Sequence, residues 1–125
     1  MPVSYVIDKE NRLVICTGTG VVTPDEVMEF RRQIVRDPDF DPSFSQLGDL
    51  SGITIDLTAD EVKVLAERSP FSLTSRRAFV GKHPEAYGLA RMFEIVRGLR
   101  GDLQVRVFRD REDALAWLLQ KEQAA

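Results

Sequence analysis

One cysteine, one histidine and one tryptophan are all that the 125 residues hold of those types. A single thiol excludes an internal disulfide framework, and one His with one Cys cannot build a Cys/His zinc site. No run approaches the ~20 consecutive apolar residues that a membrane-crossing helix needs. The opening Met1-Pro2-Val3-Ser4-Tyr5-Val6-Ile7-Asp8 has neither a basic leader nor a long apolar core, so a secretory signal is not expected. A cytoplasmic protein with a reduced thiol at Cys16 is the expectation. An excess of positive charge is also missing. With 17 Lys+Arg against 20 Asp+Glu, the net charge of −3 argues against a nucleic-acid partner.

What is there suits one ordinary domain. The chain is 43% hydrophobic and 30% charged, too apolar to stay disordered, and its length is that of a single core. Val3, Tyr5 and Ile7 alternate with polar residues, Asp8-Lys9-Glu10-Asn11 is turn material, and Leu13–Thr17 is a more continuously apolar strand. Thr23-Pro24-Asp25-Glu26 predicts a helix start with a Thr cap, Pro in the first turn and a closing Glu. Its buried stripe is Val27, Phe30 and Ile34, and Asp37-Pro38 stops it. An acidic, Pro-punctuated loop over 37–45 leads to a strand at Gln46–Leu50. The linker Ser51–Leu57 follows, then a second capping box at Thr58-Ala59-Asp60-Glu61.

That second helix turns Val62, Leu65 and Ala66 inward and ends near Ser69-Pro70. Arg77–Val80 is a strand, Pro84 opens a long helix running to about Gly98, and Leu103, Val105 and Val107 alternate as the last strand. Asp110 caps a closing helix with Ala114, Trp117 and Leu118 inward, and Lys121–Ala125 is a polar helix end or tail. The order β-β-α-β-α-β-α-β-α predicts an α/β fold. Its mixed five-stranded sheet carries four helices, and after the first hairpin each strand returns in parallel by a right-handed crossover. The whole of 1–125 is expected to be one domain.

Motifs for catalysis are weak. Gly18-Thr19-Gly20 lacks the third glycine of a dinucleotide fingerprint, since position 23 is Thr, and relaxes a strand leaving the sheet. His83, before the helix-opening Pro84, reads as a cap or surface residue, and no G-x-S-x-G elbow exists. Cys16 sits inside an apolar strand, where a thiol is inert packing. Asp49 and Asp56 could pair as acid and base, but nothing near them in sequence predicts a raised pKa. Neither an enzyme nor a cofactor is expected.

Charge is unevenly spread. Residues 1–75 hold seven basic and thirteen acidic side chains, whereas residues 76–111 hold nine and four, a balance of +5. Arg76, Arg77 and Arg91 are therefore candidate contacts for an anion or a lipid headgroup. On the long helix, Leu89, Met92, Phe93, Ile95, Val96 and Leu99 fill an arc of about 160°, with Arg91, Glu94 and Arg97 on the remainder. The arc is wider than a sheet-covering helix needs. A neighbouring helix, a second subunit or an apolar ligand could cover the excess, and a homodimer is one expectation from it.

Element order and two local patterns resemble the STAS domains, founded on the bacterial anti-sigma factor antagonists. Asp49-Leu50-Ser51-Gly52-Ile53-Thr54 resembles the segment leaving that family's third strand, and Asp56 falls near the acidic position before its second helix. Phe108-Arg109-Asp110 with Glu112–Leu118 is similar to its last strand and closing helix. A nearer likeness is to small bacterial STAS-like proteins grouped with the SEC14-like lipid-binding fold, through Ser4-Tyr5 and Ala86-Tyr87-Gly88-Leu89-Ala90-Arg91-Met92-Phe93.

The resemblance implies a non-catalytic regulatory or protein-interaction module. Its protein partner would touch Asp49, Ser51, Asp56 and Thr58. The alternative it implies is a binder of a small apolar or amphipathic, lipid-like ligand. The antagonists carry a phosphorylated Ser in an Asp-Ser-Ser-Gly-like stretch, where this chain has Asp56-Leu57-Thr58-Ala59. Thr58 is then either a phosphorylation site at a helix N-terminus or, with Glu61, a capping box that needs no kinase.

Overall fold

Residues 3–120 are described by a computed structural model. A hairpin of β1 (Val3–Asp8) and β2 (Leu13–Gly18) opens the chain and leads through β3 (Gly20–Val22) into α1 (Pro24–Arg36). Then follow β4 (Ser45–Asp49), β5 (Ile53–Ile55), α2 (Ala59–Leu65), β6 (Arg77–Val80), α3 (Pro84–Leu99), β7 (Val105–Phe108) and α4 (Arg111–Leu118). The main sheet has five strands in the order β1-β2-β4-β6-β7. Its first pair is antiparallel and the rest are parallel, as the expected α/β order requires.

Because the parallel strands are added in one direction, right-handed crossovers put α1, α2 and α3 on the same face. On that face Val14, Cys16, Phe30, Ile34, Phe44 and Phe71 form one buried cluster. The opposite face is left to α4, whose Ala114 and Leu118 pack on Leu13, Leu47, Ala78 and Val80. The period-2 alternation of β2, β4 and β6 sorts residues between the two clusters.

The structure departs from the sequence expectation in four places. First, Gly20–Val22 and Ile53–Ile55 pair in parallel as a separate two-stranded sheet, so the stretch expected to be a linker holds a strand. Three residues are too few to show a period, and their partners lie about thirty positions away. Gly20, at φ +77°, makes the turn between β2 and β3. The amide of Asp56 extends the small sheet by donating to the Val22 carbonyl at 2.9 Å.

Second, Thr23 does not close a capping box: its hydroxyl donates to Glu26 Oε1 at 3.2 Å and no side-chain cap bond forms. Third, the last strand begins at Val105. Gly101, at φ +87°, turns the chain so that Asp102 points inward, and Leu103 is left 77% exposed. Fourth, α2 ends at Leu65, earlier than Ser69-Pro70. The expected helix end or tail over 121–125 lies outside the described residues.

Asp102 organises the joint between β6 and α3. Arg77 Nη1 and Nη2 donate to its two oxygens at 2.6 and 2.5 Å, and Arg97 Nε donates at 2.9 Å. Arg77 Nε also donates to the Ser75 carbonyl, and Arg97 Nη1 to that of Ala66 just beyond α2. Both Arg77 and Asp102 are 1% exposed. Burial pushes the Asp102 carboxyl up, but the two guanidinium groups outweigh it and hold it below the ordinary carboxylate value. The position of Arg97 corrects the sequence reading, which placed it on the polar side of α3. The inward stripe is Ala86, Ala90, Phe93 and Arg97, and the arginine is accommodated because a carboxylate waits there.

Asp102→Asn leaves two buried guanidinium groups without their counter-charge and is expected to cost ~3–5 kcal/mol in urea unfolding. A folded-state pKa below the unfolded one gives stability that is full above about pH 4 and lost as the pH falls further. The variant should therefore lose less stability than the parent between about pH 4 and pH 2.

Candidate functional site

Under α2 and the small sheet, the layer on the three-helix face is not filled. A cavity of about 180 Å³ lies there, close to the carboxyl ends of β2 and β4. Its floor is Cys16, Gln46, Gly48 and Phe79 of the main sheet. Its roof is Ile53 and Ile55 of β5, Val62 and Leu65 of α2, and Leu89 and Phe93 of α3, while Val27, Phe30 and Arg31 of α1 close one side.

Local sequence explains the gap. The α2 helix over it has only 7 residues. At Gly48 the floor drops to bare backbone, and the Phe79 ring lies over it. A Cβ on Gly48 would stand 2.6 Å from Phe79 Cδ1, well inside contact distance. Phe79 meets Phe93 edge to face at 5.5 Å between centroids. Although β6 is an interior strand, Phe79 stays only half-buried because it borders the cavity. Gly52 has a related role: a Cβ there would meet the Gly18 carbonyl oxygen at 2.6 Å, so the chain leaving β4 can pass close to the end of β2.

The lining is mostly apolar, with few polar groups. Gln46 Nε2 lies 3.5 Å from Cys16 Sγ, and burial pushes that thiol up to about 12. Asp49 is already engaged, receiving the Ser51 amide at 3.0 Å and Arg111 Nη1 at 2.9 Å. Burial raises its carboxyl, but Ser51 and Arg111 outweigh this and hold it low. Arg77 is bound to Asp102. The Arg31 side chain makes no ion pair or hydrogen bond among the described residues. Burial, then the nearby charge of Arg97, push it down to about 10.

The residues singled out from sequence are divided by the fold. Thr58 forms its complete capping box: Glu61 N donates to Thr58 Oγ1 at 3.1 Å and Thr58 N donates to Glu61 Oε1 at 2.9 Å. Asp56 is exposed beside it. The stretch from Ser51 to Thr58 is one wall of the cavity, with Ile53, Ile55 and Leu57 lining it and Thr54, Asp56 and Thr58 outside. Of the wide arc on α3, Leu89 and Phe93 line the cavity, Met92 and Val96 are half-buried, and Ile95 and Leu99 stand 53% and 83% exposed. The arc is thus divided: Leu89 and Phe93 face the cavity, while Met92, Ile95, Val96 and Leu99 keep apolar surface outside it. His83 is exposed at the N-cap of α3 without a side-chain cap bond.

Of the expected anion contacts, Arg77 is corrected. Arg77 is buried against Asp102 and cannot reach a headgroup. Arg76 donates to the Trp117 and Gln120 carbonyls at 2.8 and 2.9 Å, and Arg91 pairs with Glu94. Each of the eight arginines in residues 76–111 has a partner. Besides those named, Arg100 lies near Glu67, Arg106 covers the Trp117 ring at 4.9 Å, and Arg109 covers Tyr87 at 4.3 Å. Many of the arginines in the positive segment thus wire elements together.

Sequence reasoning missed Arg31, Gly48 and Phe79. Two signals were present. A glycine inside an apolar strand marks a close approach of another group. Arg31 lies four residues after Val27 and three before Ile34, on the buried stripe of α1.

Gly48→Ala should displace the Phe79 ring and cost ~1–3 kcal/mol in denaturant unfolding. If the ring is the obstacle, the cost should shrink in a Phe79→Leu background, giving a favourable coupling energy in the double-mutant cycle.

Among the described residues no helix is long and apolar enough to cross a membrane, and no cluster of metal-ligating side chains occurs. No protein-family model, curated protein or solved structure matches the chain.

Proposed function

We propose that the protein binds a small amphipathic molecule in the cavity over Gly48 and Phe79, and that it acts by binding and not by catalysis. The observation that carries this is the cavity itself: about 180 Å³, partly open to solvent and walled largely by aliphatic and aromatic side chains. Folded interiors are close-packed, and an apolar void of about 150 Å³ accepts a benzene molecule. A core built only for stability would fill such a space, because each unfilled volume forfeits dispersion contacts.

The lining suits binding better than chemistry. Its thiol is held protonated by burial, its carboxylate is tied to Arg111, and the histidine lies elsewhere. The resemblance to SEC14-like lipid-binding domains supports the same reading. A phosphorylation switch of the anti-sigma antagonist kind is less well supported, since the Thr58 hydroxyl is engaged in its cap.

Titration with toluene, a neutral probe of suitable size, tests the reading. Methyl resonances of Val62, Leu65 and Leu89 should shift in a saturable way, and Ala90→Leu, which adds side-chain volume to the lining, should weaken the effect. Unchanged methyl resonances up to the solubility of toluene would contradict it.

A further inference from the structure

Arg31 is the one charged group of the cavity lining that lacks a counter-charge among the described residues. The lining holds three charged side chains: Asp49, Arg77 and Arg31. Asp49 is neutralised by Arg111 and Arg77 by Asp102. Arg97, which acts on Arg31 electrostatically, shares that same Asp102. Arg77 and Arg97 thus share one carboxylate, and Arg31 adds a third guanidinium within electrostatic reach of Arg97 with no carboxylate paired to it among the described residues.

Such an arrangement is costly. A partly buried cation without a hydrogen-bonding anion loses hydration and gains little in return. Arg31 stands beside the apolar stripe Val27, Phe30 and Ile34 of α1, where a charged side chain is out of keeping. No packing need explains it either, since a methionine would cover the same stem area at lower cost.

We infer that the natural ligand is a small organic acid whose apolar body fills the cavity and whose anionic group pairs with Arg31. This inference rests on the ligand-binding reading above and names its substrate class. A carboxylate suits best: it is planar, can accept two parallel N–H donors from one guanidinium, and fits beside an apolar body about the size of a benzene ring. Pairing with an anion would oppose the lowering that burial and Arg97 impose on Arg31, which remains charged at pH 7.

Benzoate and benzamide, which share a shape and differ in charge, separate the two levels of the claim. By calorimetry at pH 7, benzoate should bind the parent protein at least about tenfold more tightly than benzamide. In Arg31→Met that preference should vanish while toluene still binds, and the ligand-free variant should melt higher than the parent because an unpaired cation has been removed. Arg31→Lys should keep part of the preference. Equal binding of benzoate and benzamide to the parent overturns the acid inference and leaves the cavity reading standing. Failure of toluene, benzoate and benzamide alike overturns both.

Discussion

The contact of Arg77 and Arg97 with Asp102 holds the rest of the layer in place. It joins an interior strand to the helix that follows it and, through the Ala66 carbonyl, to the end of α2. Ion clusters of this depth give little net stability over a well-packed apolar replacement, but breaking one half of them is severe. Their value is in specification: a planar guanidinium donating twice to one carboxylate admits few other arrangements. On the same joint between β6 and α3, Phe79 and Phe93 meet edge to face at the border of the cavity.

A second constraint is topological. Successive strands laid down in one direction force three connections onto one face, and the middle one is the shortest helix. The small sheet of β3 and β5 completes the cover over the ends of β2 and β4, where parallel α/β sheets commonly receive ligands. Floor, roof and charge then come from different parts of the chain: a glycine in β4, two isoleucines in β5, and one arginine in α1.

Much of this architecture can be read from local sequence. The capping box at Thr58, the prolines opening α1 and α3, the alternation in β1 and the continuous apolar run of β2 are short-range signals, and each element formed where they stand. What local signals do not carry is pairing across distance. The strands β3 and β5 exist because each satisfies the other's backbone. Arg77 and Arg97 are buried because Asp102, itself turned inward after Gly101, meets both. For the same reason the +5 balance over 76–111 read as a candidate anion surface. Net charge counts side chains without their partners, and these partners are largely rings, carbonyls and acids from other elements. The wide apolar arc of α3 misled similarly, since its true inward stripe includes two alanines and an arginine that an apolar count passes over.

The space between Phe79 and α2 is decisive for ligand binding. Xenon diffuses into dry apolar cavities without needing a matched ligand, so diffraction from crystals held under xenon pressure examines that space directly. An anomalous peak within contact of Phe79, Leu89 and Val62, absent from crystals of Ala90→Leu, is the predicted result. A sheet face with Phe79 packed against α2 and no xenon peak beside it would contradict the account.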